Sequence, residues 1–307
     1  MGALYKCQSN YQCSESLIDL IISSGILYYF IMKAKLMFER NNGILLLIDQ
    51  ALCAISIFQM MLQVLYFMFA KSNIWLISLR SIGLVLELLI CIILISVILE
   101  KEKHEQLFNA GRFGLLLIGL YWLYQGLNHY QESVYIIVEK QQISNLFMSF
   151  IGLMLSIVAF VFGFQCVHQL HQYKEYLKLD NKNDSFAHQL LKLETRIIQI
   201  KILKLSGLVQ FGVQFCWDSL AYFLSSTTIE CTRYFMPTTL STVLIYSVLK
   251  LISLTTLPVA VFLVCYECNK EYFGINHNIW NFSRSHRSLK VLPDHEQLKY
   301  VEMSEIK

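Results

Sequence analysis

The sequence predicts an all-α, polytopic membrane protein: a bundle of seven transmembrane helices with the N-terminus outside and the C-terminus inside. Three observations lead there. Of 307 residues, 55% are apolar and only 15% charged, and the mean hydropathy is +0.49. A water-soluble fold cannot hide that much apolar surface. The apolar residues fall into seven long stretches, each close to the roughly 20 residues that a helix needs to cross about 30 Å of hydrocarbon. Finally, the basic residues crowd the connections on one side. With 20 Phe, 17 Tyr and 4 Trp the chain is also far too aromatic for a solvated coil, and 3 Pro with 13 Gly exclude a collagen-like or linker-rich chain.

In chain order, the first stretch begins near Ser16 and is interrupted by Asp19. The second and third, from about Gly43 and Ile74, are long and nearly continuous. The fourth, from Phe113, is short. The fifth begins at Ser144, the sixth near Leu205 and the seventh near Thr238. The segments lack the period-2 alternation of a membrane β-barrel. The first has no flanks of a cleaved signal peptide, because it carries Asp19 and ends, rather than begins, with Lys33 and Lys35.

Charge supports the weaker first and fourth spans. Lys and Arg in short connections concentrate on the inner side of a membrane. Seven crossings put Lys33, Lys35, Arg40, Lys101, Lys103 and Arg112 on one side, together with the basic residues of 174–204 and 270–307. The opposite side keeps Lys6, Lys71, Lys140 and Arg233. Removing the fourth crossing would carry the basic 174–204 loop across, so seven crossings with an outer N-terminus fit best.

The organisation that follows is an outer arm over 1–15, a seven-helix domain over 16–267 and an inner tail over 268–307. Within the inner loop 171–203, Leu190, Leu191, Leu193, Ile197, Ile198, Ile200 and Ile202 form an apolar stripe among charges. That pattern reads as an amphipathic extension of the sixth helix at the headgroups, or as a docking surface. No internal repeat supports an inverted-repeat transporter.

Charges inside the spans are the strongest functional signal, since at membrane depth they are costly and usually pair or face a cavity. The buried charge network expected here is Arg80, Glu87, Asp218 and Lys250, with Asp19 and Asp49 nearer the interfaces. Arg80 and Glu87, seven apart, share a helix face. Pairs of Lys250 with Glu87 or Asp218, and of Arg80 with Asp218, would neutralise the interior. Gln59, Gln63, Gln125, Gln210 and Gln214 would serve as polar contacts between helices. Cys265 and Cys268, at the inner end of the last span, are lipidation candidates. Cys7 with Cys13 would close a small outer disulfide loop. No metal or cofactor is expected, and the sequence has no GxSxG, HExxH, phosphate loop or GxGxxG, so no enzyme is expected either.

Cys216-Trp217-Asp218-Ser219 resembles the CWxP element of G-protein-coupled receptors, and the topology is similar. Other motifs of that family are replaced: Leu99-Glu100-Lys101-Glu102 stands where it has an acidic-Arg-Tyr triplet. Its cysteine at the outer end of the third span is absent from Ser72-Asn73-Ile74-Trp75. No family is assigned on these residues. The reading is therefore of a non-catalytic, receptor-like seven-helix bundle whose buried charges line a ligand cavity. The alternatives are an accessory subunit of a multi-subunit membrane complex, in an organellar inner membrane for example, and a channel or transporter. Partners would be the lipid bilayer and other membrane or inner-side proteins meeting 171–203 and 268–307, with no nucleic acid. Composition does not distinguish a plasma membrane from an organellar inner membrane.

Overall fold

The computed structural model describes residues 10–40, 47–68, 73–99, 103–131, 134–179, 186–224 and 239–266, and these are all-helical. Seven helices follow one another: α1 Asn10–Arg40, α2 Leu47–Met68, α3 Asn73–Ile98, α4 His104–Gln131, α5 Val134–Leu179, α6 Phe186–Leu224 and α7 Leu240–Cys265. Six of them, all but α6, are long and apolar enough to cross a membrane. Both stretches that looked weak in the sequence qualify, Ser14–Lys35 in α1 and His104–Leu127 in α4.

The sixth stretch is the one that differs. It forms a helix, but Gln210, Gln214 and Asp218 recur every four residues and lower its apolarity. All three are buried, so the polar stripe faces neighbouring helices instead of lipid. Its partner α5 runs alongside for the whole length. Lys174 bonds Glu194 at one end, Gly163 approaches Lys204 and Gly152 approaches Phe211. Phe150 meets Phe215 near the other end.

The helices α3, α5, α6 and α7 form the middle of the bundle. There α3 touches α2, α4, α5 and α7; α1 and α2 lean on α7; and α6 sits between α5 and α7. One continuous apolar core includes Met60, Leu86, Ile90, Leu94, Met148, Phe211, Leu257 and Phe262. Next to it, Tyr66, Phe67, Leu79 and Leu254 make a smaller cluster. By contrast α4 lies outside, against α3, with Phe113, Leu116, Leu120, Leu123 and Leu127 exposed, as a lipid-facing surface requires. Its polar side chains tie it down: Trp122 donates to Ser78 Oγ at 2.9 Å, and the Tyr121 and Ser144 hydroxyls are hydrogen-bonded at 2.6 Å.

The expected extension of the sixth helix is seen, since α6 begins at Phe186, and it lies against α5. At about 1.5 Å per residue the 46 residues of α5 span about 70 Å, more than twice a hydrocarbon core. Both helices continue past their apolar segments as an antiparallel pair. Leu193, Ile197, Ile200 and Leu203 are buried in the main core, alongside Val167 and Leu170 of α5. This part of the stripe thus lies on a helix of its own chain. The first helix begins at Asn10, six residues before the span expected from Ser16. The tail 268–307, with Cys268, lies outside the described residues, as do Cys7, Cys231 and the side chains of Cys13 and Asp49.

Candidate functional site

Four helices turn polar stripes toward one another at the end of the bundle where α1, α3, α5 and α7 begin. On α1 the stripe is Glu15, Asp19 and Ser23, at four-residue spacing; all three are buried. On α2 it is Ser56, Gln59, Gln63 and Tyr66, on α6 Gln210, Gln214 and Asp218, and on α7 Ser247 and Lys250. Helical periodicity of 3.6 makes such spacings a single face, and each face is turned inward because lipid cannot solvate it.

Arg80 and Lys250 form ion pairs there. Arg80 holds Asp218 through two parallel bonds, Nη1 to Oδ2 at 2.5 Å and Nη2 to Oδ1 at 2.9 Å, and Nη1 also donates to the Asn145 carbonyl at 3.2 Å. This fork-to-fork geometry joins α3, α5 and α6. It is the pairing expected from the sequence. Lys250, however, reaches neither Glu87 nor Asp218. Its ammonium bonds Glu15 and lies 3.5 Å from Asp19, both on α1. The reason is placement: α7 packs against α1 and α2 on one side and α6 on the other, and the α1 side offers two carboxylates one turn apart. Tyr66 of α2 stands in electrostatic reach of Lys250, Arg80, Glu15 and Asp19, which brings both pairs into one polar cluster. Gln63 donates to Ser23 Oγ at 3.0 Å beside it.

Glu15 was missed in the sequence because residues 1–15 were read as an arm. The signal was present. Glu15 and Asp19 are four apart, and Ser23 continues the row, so a helix beginning earlier would have shown an acidic face.

A second polar layer lies one to two turns deeper, around Pro258. Proline has no N–H, so the Leu254 carbonyl loses its donor in the helical ladder. Gln59 of α2 reaches that carbonyl with a long bond of 3.5 Å. From α6, Gln214 donates to the Ser253 carbonyl, and the Leu257 N–H donates to Gln210 Oε1 at 2.8 Å. Three glutamines from two neighbouring helices therefore hold the backbone of α7 next to its proline. Ser253, Thr255 and Thr256 bond carbonyls three and four residues back along the same turns. The expected role of Gln59, Gln210 and Gln214 as contacts between helices is seen here in detail. Gln125 instead bonds Tyr121 of its own helix at 3.1 Å.

Glu87 stands apart from both layers. It is fully buried, and the α6 backbone comes against its carboxyl at Gly207. At the far end of the bundle Phe30 and Phe262 stack at 4.0 Å, and the Lys33 ammonium lies 5.6 Å from the Tyr29 ring and 5.7 Å from the Tyr266 ring. Cys265 is buried in the core there, so its thiol lies against protein. Cys166 is also buried, while His168 contacts Gln172 at 3.2 Å. No group of three metal-ligating side chains occurs among the described residues. The chain matches no family model, no curated protein and no solved structure.

Proposed function

We propose that this chain is a non-catalytic multi-pass membrane protein that crosses the bilayer seven times, with its N-terminus outside, and works as a receptor-like bundle. In this reading a polar ligand meets the Glu15–Asp19–Lys250 and Arg80–Asp218 cluster from the outer face, and α7 transmits the event inward. The observation that carries it is the gathering of five charged side chains from four helices around Tyr66 at one end of the bundle. Ion pairs joining α1 to α7 and α3 to α6 are contacts that a charged ligand can exchange. Directly beneath them α7 carries a proline beside which side chains of α2 and α6 bond the helix backbone. A seventh crossing by α6 is supported by its contact with α5 from Glu194 to Phe215, which leaves no room for it to turn back.

A glycan acceptor placed beside Gln8 should be modified in cells if the N-terminus is outside. Absence of glycan there, with modification of an acceptor in the tail, reverses the orientation. An accessory-subunit role is favoured by one feature, the exposed apolar face of α4 from Phe113 to Leu127. Native gel migration after mild detergent extraction separates the two: a small particle fits the receptor reading, and a megadalton band fits the subunit.

A further inference from the structure

Glu87 lies on α3 one turn after Gly83 and two turns after Arg80, and is 0% exposed. Neither carboxyl oxygen has a hydrogen-bond partner among the described residues. Three helices enclose it. From α6 the approach is so close that a Cβ added at Gly207 would overlap the carboxyl group. From α5 comes Ser156, whose hydroxyl already donates to the Gly152 carbonyl at 2.8 Å. Along α3 the next turn presents Cys91, whose thiol donates to the Leu155 carbonyl at 3.1 Å. The turn before, at Gly83, meets the amides of Gln59 from α2 and Gln210 from α6, neither of which titrates.

The cations of the neighbourhood are committed elsewhere. Arg80 holds Asp218, and Lys250 holds Glu15. Lys204, one turn before Gly207, lies over the rings of Phe160 at 4.7 Å and Phe164 at 5.2 Å. An ionised carboxylate buried without a cation is among the most expensive states a side chain can adopt in such a place. The neutral acid avoids that cost. Its O–H is the one donor that the site lacks, and the Ser156 oxygen, having used its proton on Gly152, keeps a lone pair to accept it.

We propose that Glu87 is a proton-binding site: the folded protein holds one proton on this carboxyl at the junction of α3, α5 and α6. Release of the proton to solvent water leaves a charge that can be hydrated only if α6 parts from α3 at Gly207. Proton occupancy is thereby tied to the spacing of these two helices. The inference goes beyond the receptor-like reading and does not depend on which end of the bundle faces outside.

Infrared spectra of the full-length protein in lipid nanodiscs at neutral pH test it. The wild type should show a carbonyl stretch of a protonated carboxylic acid that shifts in heavy water. That component should be lost in Glu87→Gln and kept in Glu194→Gln, which alters an exposed carboxylate. Glu87→Gln, similar in shape and uncharged, should retain the wild-type melting temperature at neutral pH. As pH rises, the wild-type midpoint should fall more steeply than that of Glu87→Gln. No protonated-acid component in the wild type, its survival in Glu87→Gln, or a Glu87→Gln variant that melts earlier at neutral pH would each overturn the proposal. The first of these needs no variant to fold.

Discussion

Among the charged residues, position in the bundle decides what a pair contributes. Arg80 and Asp218 are both nearly buried and meet in two parallel bonds, whereas Lys174 and Glu194 meet at 2.6 Å with Glu194 45% exposed. Taking Arg80 away by Arg80→Met leaves Asp218 buried without its counter-ion. Such losses cost about 3–5 kcal/mol, and a thermal melt of the detergent-solubilised protein should show it. The double variant Arg80→Met/Asp218→Leu should recover most of the loss, because no unpaired charge remains. Lys174→Ala should cost less than about 1 kcal/mol in the same assay, since water compensates an exposed partner. Arg80 and Asp218 were legible as partners because their depths along the third and sixth stretches agree. Lys250 was misassigned because depth alone left Glu87 and Asp218 as its candidates. Choosing Glu15 required knowing that α1 begins at Asn10 and lies against α7.

At the scale of an element, α7 and α6 show how a helix can be both interrupted and held. Gln210 accepts from the Leu257 N–H, and Gln214 donates to the Ser253 carbonyl; these two backbone groups are four residues apart, the spacing of an ordinary helical bond. Replacing either glutamine by leucine removes a hydrogen bond to the backbone of α7, at a cost of about 0.5–1.5 kcal/mol. Replacing both should differ from the sum, because the two glutamines sit one turn apart on α6 and bond the same turn of α7. A double-mutant cycle on melting free energies measures that coupling, and strict additivity would refute it. The same two helices set a steric prediction. Gly207→Ala should destabilise the fold by about 1–3 kcal/mol, since the new methyl overlaps the Glu87 carboxyl. Alanine at Gly25, which has open space around the added Cβ, should be neutral by comparison. The four-residue spacing of Gln210, Gln214 and Asp218 was visible in the sequence, yet which backbone they would hold was not.

Taken whole, the molecule is an apolar bundle in which the polar residues are sorted by helix face. Six helices meet the apolarity that crossing demands, and α6 falls short because its polar stripe is turned inward. Two features were determined by the sequence alone: the helical class and the number of the long elements. Both follow from local physics, because a chain this apolar must satisfy its backbone within each segment, and each apolar run is long enough for one helix. Only the tertiary structure decided the rest. It laid Leu193, Ile197 and Ile200 against α5, since an amphipathic stripe specifies that something apolar will cover it but not what. It also paired Lys250 with α1, and left Glu87 alone at Gly207. Those outcomes depend on which helix faces meet, and the spacing of residues along one helix does not say which other helix its face will touch.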